Sequence, residues 1–264
     1  MSNVIDRDKY KVRQAFAQAS VGYDDFAHLQ RTVANGVLKK NAITSLHGNV
    51  LDIGCGTGFL TQQLQNIGGY QQLMALDIAV PMLQKARQRL NKPVSYVCGD
   101  AEHLPFQSAS LDSIFSSLAL QWCQHLPTAL QDFRRALKPG GRLVFTTFGA
   151  ETLRELKQAW RGVDQCRHVN DFYTSQQLQR LLLNDHWRTV AVDSQLFRPH
   201  YASVMTLMRE LKGIGAQSVS SGRKQALTTK TDMQAMMNAY PRDASMDGVF
   251  ASFEIIWVTA EAHQ

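Results

Sequence analysis

Residues 50–61 read VLDIGCGTGFLT: an acid, Asp52, then glycine at positions 54, 56 and 58, with an apolar run before and apolar spacing after. Glycine reaches positive φ and carries no β-carbon, so the backbone of such a turn can approach a ligand to contact distance. The chemistry served is the seating of a bulky small molecule. A dinucleotide fingerprint, G-x-G-x-x-G, would require glycine where Phe59 stands. Further acids end later apolar runs, Asp77 in LMALDI and Asp100 in YVCGD. Singly, Asp77 could cap a helix beginning near Pro81 and Asp100 could be a turn acid; three in order make a constellation. Cys55 has no histidine beside it in sequence and reads as a small filler rather than a nucleophile.

The elements that must position these groups show in the periodicity. Residues 8–46 carry apolar positions at helical spacing and predict two helices, a flank covering 1–46. From residue 49, short apolar runs alternate with helical stretches: VLDIG, LTQQLQNI, QQLMALDI, PMLQKARQRL, VSYVCGD, SLDSIFSSLAL, LPTALQDFRRAL and GRLVFTTFG. Alternating strands and helices predict a parallel sheet covered on both faces, doubly wound because crossovers are right-handed. Helical spacing in ETLRELKQAW and SQQLQRLLLN follows, and then strands at WRTVAVDSQLF and FEIIWVTAEA, which makes seven strands. Between the last two, residues 199–248 are too long for a hairpin and read as a helical lid insertion folding over a site. The expectation is one α/β domain over 1–264, with its ligand-binding core at 47–150. In a doubly wound sheet the first strand delivers its carboxyl end to the crevice where strand order reverses, which is where Gly54, Gly56 and Gly58 stand.

Composition narrows the classes. With 264 residues, 44% of them hydrophobic, the chain can bury a full core. Its formal charge of +6 favours acidic partners, yet the cations are scattered without a tract, so nucleic acid is not indicated. Cys55, Cys98, Cys123 and Cys166 form no C-x-x-C pair, and neither a metal site nor a redox motif is supported. The N-terminus is polar, and no run approaches the length of a membrane span, so a soluble cytoplasmic protein is expected.

The order Asp52-x-Gly54-x-Gly56-x-Gly58, with the later LDSIFSSLALQWC and LKPGGRLVFTTFG, resembles the class I S-adenosylmethionine-dependent methyltransferases. The resemblance covers about residues 45–150 plus the terminal strand pair, and implies a Rossmann-like methyltransferase fold with S-adenosylmethionine as cofactor. It implies a binding set of Asp52, Gly54, Cys55, Gly56, Gly58, Asp77, Ile78, Asp100, Ala101 and Leu118. Asp77 would take the ribose hydroxyls, Asp100 the adenine amino group, the Ala101 backbone a ring nitrogen, and Asp52 would organise the loop and the amino-acid end.

VRQAFAQASVGYDDFAHLQ, SSLALQWC and LMRELKGIGA further resemble the malonyl-acyl-carrier-protein O-methyltransferases of biotin synthesis. That implies methylation of the free carboxylate of a malonyl thioester, carried by an acidic acyl carrier protein or by coenzyme A. Methyl transfer from a sulfonium rests on positioning, and a carboxylate arrives ionised and needs no base. Tyr23 is expected as a lid residue, with Gln121 and Trp122 lining the transfer cleft. Arg198, Arg209 and Lys212 are candidates to orient the substrate carboxylate. His103, His125 and Phe106 read as rim or wall. Alternatives are an enzyme acting on free dicarboxylic acids or quinone precursors, and an RNA methyltransferase, against which stands the exit sequence SLALQWC.

Overall fold

The computed structural model describes residues 7–216, 228–242 and 247–263. Strand β1 (Asn49–Ile53) is apolar on both faces because it lies inside the sheet, with Val50, Leu51 and Ile53 fully buried. Beside it run β2 (Gln72–Asp77), β3 (Ser95–Cys98), β4 (Leu111–Ser117) and β5 (Leu137–Phe148). The pairs β1/β2, β2/β3, β1/β4 and β4/β5 are all parallel. Two later strands, β6 (Trp187–Phe197) and β9 (Phe253–Ala262), complete the order β3-β2-β1-β4-β5-β9-β6, with β9 antiparallel to both its neighbours. The seven-stranded, mostly parallel expectation holds. Strand order reverses between β1 and β4, and the crevice at their carboxyl ends is the place for a ligand.

Helices cover both faces, and their sequence spacing says which side they bury. In α6 (Leu126–Ala136), Leu126, Ala129, Leu130, Phe133 and Ala136 recur at three- and four-residue steps and are buried against Leu51, Ile53, Leu143 and Phe145, together with Leu178 and Leu182 of α8 (Ser175–Asn184). Burying a side chain such as Phe133 contributes about 1.5–3 kcal/mol. Thr174 starts α8 with a capping box, its hydroxyl accepting from the Gln177 N–H at 3.1 Å while the Gln177 side chain accepts from the Thr174 N–H at 2.8 Å. On the other face, α3 (His28–Lys40) and α4 (Phe59–Ile67) bury Ala34, Val37, Leu60 and Leu64 against Val50, Phe115 and Val144. Helix α5 (Val80–Arg89) lies over Ala75 of β2 through Leu83 and Ala86.

The N-terminal flank differs from the two-helix expectation. It is three helices, α1 (Arg7–Ala19), the single turn α2 (Tyr23–Phe26), and α3, because the chain turns at Ser20–Gly22 and again at Ala27. Helix α7 (Arg154–Arg161) is tied to the start of β9 by Glu155, whose carboxylate accepts from the Ser252 N–H at 2.9 Å and its hydroxyl at 2.6 Å. Between β6 and β9 the described part of the insertion holds a small hairpin, β7 (His200–Tyr201) and β8 (Val249–Phe250), plus α9 (Val204–Gly213) and α10 (Lys230–Ala239). The expected 199–248 insertion therefore lies partly outside the described residues, at 217–227 and 243–246. No described helix is long and apolar enough to cross a membrane.

Candidate functional site

The three glycines after β1 do three different jobs. Gly54 (φ +66) passes so close to the loop after β4 that a Cβ there would sit 2.2 Å from Ala119 Cβ. Gly56 (φ +53) has nothing within 4 Å of that position, so its missing side chain keeps the crevice open. Gly58 (φ +85) abuts α5, where an added Cβ would lie 2.9 Å from Ala86 Cβ. This corrects the view that the whole turn is bare for the ligand's sake: only Gly56 faces open space, and Gly58 serves helix packing.

Around this turn the acids take distinct roles. Asp77 is buried and holds the turn itself: it accepts from the Gly56 N–H at 2.9 Å and from the Ala79 N–H at 2.8 Å. Burial raises its pKa to about 6 against the pull of those N–H groups. Asp52 points from β1 toward α4, where Thr61 Oγ1 donates to its Oδ2 at 2.6 Å. Its Oδ1 is buried with no hydrogen-bond partner among the described residues, and burial, together with the nearby Asp77 charge, raises its pKa to about 7. Such an orphan oxygen awaits a donor. Asp100, beyond β3, accepts from the Glu102 N–H at 3.0 Å and is ion-paired with Lys9 of α1, which also pairs with the buried Glu102. Although burial pulls the other way, these two carboxylates hold the Lys9 ammonium above the usual lysine range.

Helix α1 is thus a roof. With Val12, Phe16 and Tyr23, Lys9 covers a cavity whose floor includes Gly54, Gly56, Asp77, Ile78, Asp100, Ala101 and Leu118. Phe16 meets Trp122 edge-on, ring centres 5.4 Å apart. A second tether lies at α2: Asp24 accepts from Thr57 Oγ1 at 2.8 Å and ion-pairs with Arg89 of α5. The insertion reinforces the roof. A Cβ at Gly213 would fall 2.2 Å from the Phe26 ring, and one at Gly215 would fall 3.2 Å from the Phe16 ring, so LKGIGA is the seam between α9 and the N-terminal helices. Leu118 sits at φ +49, a left-handed conformation costing about 1–2 kcal/mol, and its N–H is held by Thr146. Strain of this kind gathers at functional loops.

A smaller cavity shares Tyr23, Gly54 and Gly56 with the first and adds Asp52, Cys55, Thr57 and Arg31. Arg31 is a site residue that the sequence reading missed; it donates to the Asp24 carbonyl at 2.6 Å. Lys9 was missed as well, since its partners lie over ninety residues away. Tyr23 lies between the two cavities, its phenol pKa pushed up by burial and by Asp77. Cys55 is a thiol kept protonated by burial, as befits a filler. A third cavity opens behind the loop after β4 and touches the first at Cys123. Trp122 lines the first and Gln121 the third; the Gln121 amide donates to the Leu118 carbonyl at 2.6 Å. His125 lines the third cavity, and Phe106 packs on the core beneath α6. Arg198 stacks over Phe250, while Arg209 and Lys212 are exposed on α9, and none of the three lines a described cavity.

These residues fit an adenosyl amino acid. Gly56 leaves room, the Asp52 oxygen lacks a donor that an α-ammonium could supply, and Asp77 and Asp100 stand on one cavity at successive strand ends. A family model described as "Methyltransferase domain" matches residues 51–145. The chain is 38% identical over 260 residues to the malonyl-[acyl-carrier protein] O-methyltransferase of Methylococcus capsulatus, covering 96% of this chain and 94% of that one. It is 41% identical over 251 residues to the biotin biosynthesis bifunctional protein BioHC of Cellvibrio japonicus, covering 95% of this chain and 50% of that one. The chain therefore spans half the length of that bifunctional relative. Among solved structures, the YcgJ protein of Bacillus subtilis superposes with a TM-score of 0.64 at 14% identity, covering 88% of this chain and 98% of that one, which speaks to the fold alone.

Proposed function

The chain belongs to the malonyl-[acyl-carrier protein] O-methyltransferase family, and on that premise we propose that it methylates the free carboxylate of a malonyl thioester to the methyl ester. It is an S-adenosylmethionine-dependent methyltransferase. The observation that carries the reading is the meeting of the open Gly56 turn, the orphan oxygen of Asp52, and the carboxylates of Asp77 and Asp100 at the β1/β4 switch point. When bound, the cofactor supplies an electrophilic methyl group.

The chain's own part is to hold and exclude. Asp77 would hold the ribose hydroxyls, Asp100 and the Ala101 backbone the adenine edge, Ile78 and Leu118 its faces, and Asp52 the α-ammonium, all of them residues that line the two adjoining cavities. Cys55 and Gly58 keep the turn compact. Tyr23 and Trp122 close the transfer cleft against water, and Gln121 braces its far wall through the Leu118 carbonyl. The acceptor carboxylate is anionic at neutral pH, so no side chain need remove a proton. Neutralising it lets a short acyl chain enter apolar sites that would desolvate a charge at high cost. The partner is an acidic carrier protein, or coenzyme A, met by a chain of net charge +6 in the cytoplasm.

The test is incubation with methyl-labelled S-adenosylmethionine and malonyl-carrier protein, followed by mass analysis. One added methylene is expected, with the label released as volatile methanol on alkaline hydrolysis. Label that survives alkali, or acceptance only of free dicarboxylic acids, contradicts the proposal.

A further inference from the structure

Resting on the carboxyl-methylation reading, we infer that Arg167 is the residue that orients the substrate carboxylate, and that Asp171 occupies its guanidinium until the substrate arrives. The argument begins with the third cavity. Its floor is formed by Leu120, Gln121, Thr147 and Phe148, at the carboxyl ends of β4 and β5, and it shares Cys123 with the adenosyl cavity. It is therefore the space next to the cofactor in which an acceptor can lie.

An anionic acceptor entering such a space exchanges water for protein and needs a cation to replace its hydration. Among the described residues lining this cavity, Arg167 is the only lysine or arginine. A guanidinium offers paired N–H groups in a plane, so it can fix one carboxylate oxygen and leave the other turned outward. The loop that carries it is anchored: the next residue, His168, stacks on Trp160 of α7 with ring centres 3.7 Å apart and meets Asp164 at 2.9 Å, while Val169 is buried. Arg167 is thus delivered to the cavity rim by a fixed backbone.

One of its present partners, Asp171, is exchangeable. Arg167 meets the Asp171 carboxylate at 2.9 Å, in a pair whose side chains are 41% and 74% exposed. A pair so open to solvent contributes little to stability, so one carboxylate can replace another without disturbing the fold. Asp171 lines the same cavity and serves as a stand-in for the substrate group. The competition makes a prediction that a merely structural arginine would not meet: removing the Asp171 charge helps the substrate.

The experiment uses the whole chain with malonyl-carrier protein and, in parallel, malonyl-coenzyme A. Arg167→Gln is expected to lower kcat/KM about fivefold, the upper end for a partly exposed charge pair, with S-adenosylhomocysteine affinity unchanged by calorimetry. Arg167→Lys should recover part of the loss, and Asp171→Asn should lower KM for both substrates. Wild-type kinetics in Arg167→Gln would overturn the inference, as would a parallel loss of S-adenosylhomocysteine affinity or a raised KM in Asp171→Asn. Failure of the unsubstituted protein to methylate either thioester would instead refute the functional reading itself, and this assignment would fall with it.

Discussion

Alanine at Gly54 and at Gly56 should separate folding from binding. Both positions hold positive φ, so each substitution carries a strain of about 1 kcal/mol for forcing a β-carbon into the left-handed region. At Gly54 the new Cβ would also lie 2.2 Å from Ala119 Cβ, far inside van der Waals contact, and overpacking of that kind costs about 1–3 kcal/mol more. At Gly56 nothing lies within 4 Å, so no such addition applies. For a chain of 264 residues each kcal/mol lowers the midpoint by about 2 °C. Gly54→Ala should thus lose about 4–8 °C without ligand, and Gly56→Ala about 2 °C. Binding should run the other way for Gly56→Ala, whose methyl projects into the cofactor cavity: S-adenosylhomocysteine affinity should fall at least about tenfold, near 1.4 kcal/mol. Thermal unfolding of the ligand-free variants and calorimetric titration decide it. If Gly56→Ala bound like wild type, or destabilised the fold as much as Gly54→Ala, the division of labour within the turn would be wrong.

Two other outcomes follow from the acids and the roof. Burial holds Asp77 at about 6 and Asp52 at about 7, above the ordinary aspartate value. The folded state therefore holds these protons more tightly than the unfolded chain. Their contribution to stability is full below about pH 4 and is lost as pH rises through about 6 and 7. A cationic sulfonium ligand needs the ionised acids, so its affinity should rise across the same window with proton release. Titrations in buffers of different ionisation enthalpy measure this, and zero release near pH 6 would contradict it. Lys9→Met keeps the stem but removes both ion pairs of the roof. S-adenosylhomocysteine should then dissociate about fivefold faster, near 1 kcal/mol, as read from Trp122 fluorescence; an unchanged rate would deny that α1 gates the cavity.

The sheet was legible in the sequence because its signals are local. FEIIWVTAEA coincides with β9 residue for residue, and the spacing in LPTALQDFRRA is the buried stripe of α6. Asp52, Asp77 and Asp100 were legible for a related reason: each ends or follows an apolar run, and a parallel sheet places such ends side by side. The roof was not legible. Lys9 finds Asp100 and Glu102, and Arg89 finds Asp24, across separations at which no periodicity operates. Gly58 was misread because the need for glycine came from Ala86 of a different helix. The break of the flank into three helices depends on the turns at Gly22 and Ala27, where the apolar spacing continues through the interruption.

The antiparallel pairing of β9 has a consequence for how the molecule assembles. This strand lies between β5 and β6, so β6 has no place in the sheet until β9 is laid down. A chain leaving the ribosome can order β1 to β5 early, but α8 and β6 wait for a segment made later. Contacts this distant in sequence slow folding, and they leave the edge of β5 open to other strands meanwhile. Once β9 zips in, the same act fixes both ends of the segment that carries α9, so the brace behind the N-terminal roof is hung from the sheet only at the final step of assembly.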